Sequence, residues 1–151
     1  MLRNEISNAY KSAMKQQQPI AVSTLRLILA AIKDRDIAAR LKGNSDGITN
    51  DEILSLMQSM IKQRGDSIDA YEKGGRMELA NREAEEISII EGFLPAQMTS
   101  ETVLTAVEDV IKDVNAETLK DMGRVMATLK QRFAGQMDFA KASNIVKSKL
   151  G

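Results

Sequence analysis

Residues 19–41 have the sequence PIAVSTLRLILAAIKDRDIAARL, and this segment carries the clearest structural signal in the chain. Its large apolar side chains recur at spacings of three, four and three residues, at Val22, Leu25, Leu29 and Ile32. This spacing is the period of one helix face, whereas a strand would show alternation. Pro19 suits the first turn of a helix, and the alanines add helix propensity. The segment therefore predicts a long helix.

Similar apolar stripes predict six further helices, and no segment shows a strand pattern. Thr49 and Glu52 have the spacing of a capping box, in which each side chain satisfies the backbone N–H of the other residue. Asp138 is placed to cap the last helix, and Gly135 to end the helix before it. The predicted helices cover about 2–16, 49–73, 77–93, 99–114, 117–133 and 138–150.

A single proline divides the predicted helices into two groups. Pro95 disfavours helical backbone at Leu94, so residues 94–98 are expected to form a linker. We therefore predict an all-α protein with a four-helix bundle over 1–94 and a smaller three-helix bundle over 95–151. A lone core is marginal in a bundle as small as the second one.

Two absences in the composition narrow the classes of function. The chain of 151 residues has no cysteine and no histidine. It therefore lacks thiolate chemistry, the usual zinc ligands and the commonest general base. We predict no catalytic residues, no cofactor and no metal. The longest apolar run, Leu27 to Ile32, is far short of the roughly 20 residues of a membrane span. With no apolar export signal either, we expect a cytoplasmic protein without membrane contact.

Three patterns resemble chemical motifs but favour a structural interpretation. Ser12 and Lys15 have the Ser-x-x-Lys spacing of acylating enzymes, but the companion motifs are absent. The pair Gly74-Gly75 lacks the preceding strand of a phosphate-binding loop. A pair of carboxylates, Glu83 with Glu86 or Glu85, could hold a metal or do acid–base work. Helical di-iron sites also need histidine, so we expect a solvated acidic face.

The zero net charge hides a segregated distribution. Residues 1–42 carry a net charge of +5, residues 43–119 carry −10, and residues 120–151 carry +5. Solvated helix faces with local ion pairs would explain this pattern, but basic ends can also attract an anionic partner. One basic stripe, at intervals of seven residues along the second helix, consists of Arg26, Lys33 and Arg40. A larger basic set lies near the carboxyl end: Lys120, Arg124, Lys130, Arg132, Lys141, Lys147 and Lys149.

These basic sets suggest a nucleic acid whose backbone is contacted through charge. Aromatic residues make up only 3% of the chain and tryptophan is absent, so stacking on single-stranded bases is not expected. A structured, double-helical RNA such as tRNA therefore fits better than a single strand.

Several motifs, in the right order over essentially the whole chain, resemble the GatB/YqeY family, and its stand-alone YqeY-like members in particular. They are Ser23–Lys33 (STLRLILAAIK), Ile61–Arg64 (IKQR) with Ser67-Ile68, Gly75-Arg76, Phe93–Pro95 (FLP) and Lys120–Met126 (KDMGRVM). The resemblance implies a four-helix and a three-helix bundle. It also implies kinship with the tail of the B subunit of the tRNA-dependent glutamyl/aspartyl amidotransferase, which helps to grip tRNA.

The basic residues and the resemblance together lead to the first of two hypotheses. It is an RNA-binding accessory module without a catalytic site, because the amidotransferase or carbon–nitrogen ligase chemistry belongs to other domains. Its candidate RNA contacts are Lys120, Arg124, Lys130, Arg132, Lys141 and Lys147. The second is a protein-interaction adaptor whose small second bundle presents an apolar groove to a helix. We expect Gly123 to let the sixth helix approach a neighbour closely, with RNA contact nearby. Residues 135–139 depart from the commoner family pattern, which puts a phosphate contact at that turn in doubt.

Overall fold

The computed structural model describes all 151 residues and contains only helices, turns and loops, which confirms the all-α prediction. The fourth helix ends at Glu91, and residues 92–99, which include Pro95, are not helical. None of the helices combines the length and the apolarity needed to cross a bilayer. The α-helices are α1 (Leu2–Lys15), α2 (Pro19–Leu41), α3 (Asn50–Lys73), α4 (Met77–Glu91), α5 (Ser100–Asp113), α6 (Met122–Arg132) and α7 (Phe139–Leu150).

The chain divides into two compact units, Met1–Leu94 and Pro95–Gly151. In the N-terminal unit, α1 packs against α2, α3 packs against α4, and α2 also contacts α3 and α4. Its core is built from aliphatic and methionine side chains, including Ile6, Leu25, Ile28, Ile32, Ile53, Met57 and Ile90. Because few aromatic rings are available, many small contacts between aliphatic side chains hold this unit together.

In the C-terminal unit, the three helices α5, α6 and α7 all pack against one another. The core is formed by Val103, Val107, Val110, Val125, Leu129, Met137, Ala142 and Val146. Each helix contributes one apolar stripe, so no pair of helices could bury its apolar surface without the third.

Some residues of the predicted stripes lie elsewhere. On α2 the apolar side chain that is completely buried is Ile28, whereas Leu29 is only partly buried. On α6, Val125 and Leu129 are completely buried, whereas Leu119, in the turn before this helix, is 50% exposed. The spacing of the apolar residues predicted which side of each helix is buried. Only the packing of the helices shows which residues lie at the centre of that side.

The sixth helix begins later than predicted. Residues Leu119–Asp121 form a 3-10 turn, and α6 starts at Met122. The Asp121 carboxylate accepts hydrogen bonds from the backbone N–H groups of Glu117 and Thr118, at 2.9 and 3.2 Å. These bonds satisfy both backbone donors and cap the turn that precedes α6.

The loop before α3 is tied to the two preceding helices by one ion pair. Arg3 of α1 pairs with Asp36 of α2, and Asp36 also accepts the backbone N–H of Ile48 at 2.9 Å. The hydrogen bond from Arg3 is the main cause that lowers the pKa of the Asp36 carboxyl. Gly47 has a φ of +85°, and a Cβ there would lie 2.8 Å from Asp36 Oδ1. Only glycine therefore fits the path of this loop.

The predicted capping residues are confirmed. Thr49 Oγ1 accepts the Glu52 N–H at 3.2 Å, and Glu52 Oε1 accepts the Thr49 N–H at 3.2 Å. Asp138 Oδ1 accepts the Ala140 N–H at 2.9 Å at the start of α7. These local bonds explain why the starts of α3 and α7 were predictable.

We predict that Thr49→Ala lowers the free energy of unfolding by about 1 kcal/mol, because α3 loses a side-chain acceptor at its first turn. Urea denaturation followed by circular dichroism would measure the change. Ser45→Ala, at an exposed position in the same loop, is the matched control. Equal stability of the two variants would contradict a stabilising capping box.

Candidate nucleic-acid interface

The basic residues predicted near the carboxyl end are all exposed to solvent. Lys120 lies in the 3-10 turn. The remaining six lie on α6 (Arg124, Lys130 and Arg132) and on α7 (Lys141, Lys147 and Lys149). This basic set of the C-terminal unit therefore lies on the turn, on α6 and on α7.

The two arginines of this set are engaged with nearby acceptors. Arg124 Nη2 lies 2.8 Å from Asp121 Oδ1, and its Nη1 donates to the Val114 carbonyl at 2.9 Å. Arg132 Nη1 lies 2.8 Å from Asp113 Oδ2 on α5. On α7, Lys149 is paired with Glu108 at 3.1 Å. Three residues of this basic set therefore already have an anionic partner within the unit, and two of them, Arg124 and Arg132, are predicted RNA contacts.

The carboxylate that holds Arg124 is strongly stabilised in its charged form. The pKa of Asp121 is lowered to about 2, first by the Glu117 N–H and then by the Arg124 side chain and the Thr118 N–H. The Asp121 charge therefore persists at every physiological pH. Arg124 is best understood as part of this turn.

Four lysines of the set form no ion pair: Lys120, Lys130, Lys141 and Lys147. Lys130 is six residues from Arg124, and Lys147 is six residues from Lys141, so each pair is separated by about 120° around its helix. The positive charges therefore cover a broad surface of the unit, and they do not form one narrow stripe.

The structure corrects the expectation for Gly123. This residue is exposed in the first turn of α6, and a Cβ built there would meet no atom within 4 Å. Gly123 thus permits no close approach between helices of this unit. The space beside it is open to an external partner.

A cavity of about 290 Å³ lies beside the turn that departs from the family pattern, and Gln136, Asp138 and Lys141 are among its lining residues. The Asp138 carboxylate accepts N–H groups at the start of α7. Gln97 Nε2 donates to the Gly135 carbonyl at 2.7 Å. The helix donors that could bind a phosphate are already satisfied by a negative group, so this turn is a poor phosphate site.

The second basic stripe lies on the exposed side of α2. Arg26, Lys33 and Arg40 are all exposed. Arg26 Nε donates to the Tyr10 hydroxyl at 3.2 Å, and its guanidinium lies 5.9 Å from the centre of the Tyr10 ring. Lys33 and Arg40 form no ion pair.

The acidic face expected on α4 is only partly solvated, and the prediction was wrong for Glu86. Glu86 is 8% exposed, and its Oε2 lies 3.3 Å from Arg64 Nε on α3. Arg64 also donates to the Met60 carbonyl at 3.2 Å. Burial, followed by the charge of Glu86, raises the pKa of the neighbouring Glu83 carboxyl. The acidic residues do not gather in a group that could hold a metal ion.

The position of these residues in the apolar stripes could have revealed their burial. Arg64 lies four residues after Met60 and four before Ile68, and Glu86 lies four residues before Ile90. A charged residue in register with an apolar stripe faces the neighbouring helix, where burial requires a partner of opposite charge. The structure supplies that partner across α3 and α4.

Comparison with known proteins gives a family match over nearly the whole chain. The profile of the family described as Yqey-like protein matches residues 3–150. A relative from Lachancea thermotolerans, named altered inheritance of mitochondria protein 41, mitochondrial, is 34% identical over 56% of this chain and 43% of its own length. Relatives of the same name from Meyerozyma guilliermondii and Pyrenophora tritici-repentis are 27% and 28% identical, each over 81% of this chain and over 60% and 67% of their lengths.

The expectation of a cytoplasmic protein is wrong in the light of these relatives. Their names describe mitochondrial proteins, which points to mitochondria and away from the cytoplasm. The expectation depended on the absence of an apolar export signal and of a membrane span. Import segments of mitochondrial proteins are amphipathic and rich in arginine, so those two absences do not bear on mitochondrial import.

We predict that Arg64→Met lowers the free energy of unfolding by about 3 kcal/mol, because it leaves the Glu86 carboxylate buried without its partner. The double variant Arg64→Met with Glu86→Leu should recover most of this loss, since no unpaired charge then remains. Urea denaturation of the four members of this cycle would measure the coupling.

Arg82→Met is the matched control, because Arg82 is an exposed arginine of α4 without an ion pair. Its effect should stay within about 0.5 kcal/mol. Additive effects of the two substitutions in the cycle would show that Arg64 and Glu86 do not stabilise one another.

Proposed function

Because this chain belongs to the YqeY-like family, we propose that its C-terminal unit binds a structured RNA, with tRNA as the leading candidate. The contacts are made by exposed lysines to the RNA backbone. The chain acts as an accessory module and catalyses no reaction itself.

One observation carries this proposal. Between Met122 and Leu150 the chain has six basic residues and a single acidic one, Asp138. Three of these basic residues, Lys130, Lys141 and Lys147, are exposed and form no ion pair. Lys120, which lies just before α6, is also exposed and forms no ion pair. Lysines without a partner are available to release counterions from an RNA backbone.

The paired arginines form a second group of contacts. An exposed ion pair contributes only about 0–1 kcal/mol, so a phosphate could displace the Asp113 carboxylate from Arg132 at small cost. Arg124 is held by both Asp121 and the Val114 carbonyl, and it exchanges less readily. The contribution to RNA binding is therefore largest for the unpaired lysines, smaller for Arg132 and smallest for Arg124.

The breadth of the basic surface favours a folded RNA. Basic residues about 120° apart on each of two helices, Arg124 with Lys130 and Lys141 with Lys147, cannot all follow a single extended strand. A double-helical RNA, by contrast, presents phosphates from two strands around a groove. The absence of tryptophan and the shortage of other aromatic residues favour backbone contact over base stacking.

The resemblance to the amidotransferase tail suggests the setting in which such binding is used. The tail holds tRNA while amide transfer takes place in other domains, and we propose a comparable supporting role for this chain. Any amidotransferase or carbon–nitrogen ligase activity would then come from a second protein. The chain spans 43% of the length of the Lachancea thermotolerans relative.

We predict that the chain binds a folded tRNA transcript and that each contacting lysine adds roughly 0.7 to 0.9 to the negative slope of log affinity against log salt. The double variant Lys130→Ala with Lys147→Ala should therefore bind more weakly and with a shallower slope. Fluorescence polarisation over a series of salt concentrations would measure both quantities.

The matched control is Lys11→Ala with Lys62→Ala, which removes the same charge from two exposed, unpaired lysines of the N-terminal unit. It should leave the slope unchanged. Three results would each reject the proposal: no binding at low salt, equal affinity for tRNA and an unstructured polyanion, or the same slope change in both double variants.

Asp113→Asn provides a test in the opposite direction. It removes the carboxylate that holds Arg132, so the freed guanidinium should strengthen tRNA binding. Asp109→Asn makes the same change of charge at an exposed position of α5 without an ion pair. Tighter binding by Asp113→Asn than by Asp109→Asn is expected, and equal affinities would show that Arg132 makes no contact with the RNA.

A further inference from the structure

Helix α2 exposes a second apolar stripe on the side away from its core. Leu27 is 50% exposed, Ile37 is 47% exposed and Leu41 is 86% exposed. With Ala30 and Asp34, which are also exposed, these residues recur at spacings of three, four, three and four. We call this set the α2 seam. The spacing is that of the contact positions in a coiled coil.

The α2 seam lacks a partner because the core of the unit lies on another face of the same helix. Leu25, Ile28 and Ile32 are buried among the other helices. The seam spans 14 residue steps, which corresponds to about 21 Å or four helical turns. Scattered exposed leucines are common on protein surfaces, but an ordered apolar row of this length is typical of a helix-binding face.

The two edges of the α2 seam differ in charge. One edge is the basic stripe Arg26, Lys33 and Arg40, and the other edge carries the small residues Ala31 and Ala38. Positions beside the contact row of a coiled coil select the partner through charge. A basic edge next to a neutral one therefore calls for a partner helix with a row of acidic residues along one edge.

A second copy of this chain does not meet that requirement if its own α2 seam is the contact. A parallel arrangement would set two Asp34 carboxylates side by side and would face each basic row with alanines. An antiparallel arrangement would bring the two basic rows together. In either arrangement, like charges lie close together or basic side chains face no acidic partner. The twofold symmetry of a homodimer repeats each unfavourable contact on both sides of the interface.

We propose that the α2 seam docks an amphipathic helix from a different protein. The chemistry of α2 defines this helix: leucine or isoleucine in the contact row, aspartate or glutamate along the edge that meets Lys33 and Arg40, and one basic or amide residue opposite Asp34. The polar Asp34 in the apolar row sets the register of the partner. This interaction is independent of RNA binding by the C-terminal unit.

The test uses a labelled synthetic peptide with leucine at both contact positions of each heptad, glutamate at the flanking positions and one central lysine. The full chain should bind it in a saturable manner, and a peptide with lysine in place of every glutamate should bind at least about tenfold more weakly. Ile37→Glu and Leu41→Glu should each weaken binding of the acidic peptide by a similar factor, whereas the double variant Lys33→Glu with Arg40→Glu should reverse the preference between peptides.

Leu119→Glu, at an exposed leucine of the C-terminal unit, is the matched control and should leave peptide binding unchanged. Thermal unfolding followed by circular dichroism verifies that the variants remain folded, as expected for substitutions at exposed positions. The proposal is rejected if neither peptide binds, if both bind alike, or if the α2 substitutions have no effect. If the chain sediments as a dimer and Leu41→Glu converts it to a monomer, the α2 seam binds a second copy of the chain and the proposal is wrong. If tRNA displaces the peptide, the α2 seam binds RNA and the proposal is also wrong.

Discussion

The burial of one face of α2 governs the organisation of the N-terminal unit. Leu25, Ile28 and Ile32 can leave water only by packing against α1, α3 and α4, so these three helices assemble around this row. The rotation of α2 that buries these residues also directs Leu27, Ile37 and Leu41 outward, because a rigid helix cannot turn both faces to one core. The core contact and the exposed seam are thus two consequences of the same packing.

Polar contacts within each unit also determine which charged side chains remain unpaired. Arg64 and Glu86 lie between α3 and α4 with little exposure to water, where each neutralises a charge that would be costly to bury alone. In the C-terminal unit, pairs from α5 to α6 and from α5 to α7 fasten basic residues to acidic ones, as in Arg132 with Asp113. These pairs use part of the positive charge of the unit, and the lysines that remain unpaired become its most available cations.

The two units therefore offer different surfaces to partners. The C-terminal unit presents dispersed lysines suited to the phosphates of a folded RNA, and the N-terminal unit presents an ordered apolar row with one basic edge. A chain with both surfaces could hold an RNA and a protein at the same time.

The amino-acid sequence by itself determined the helical class and the capped starts of helices such as α3 and α7. These features depend on contacts within a few residues, such as the bonds between Thr49 and Glu52. The tertiary structure alone decided that Glu86 pairs with Arg64, that Gly123 faces open space and that Arg132 is paired while Lys130 is free. Such outcomes depend on residues brought together from distant positions, as Asp113 and Arg132 are across 19 residues. A periodic pattern shows that a helix has an apolar side, but the direction of that side and the charges it meets depend on the neighbouring helices.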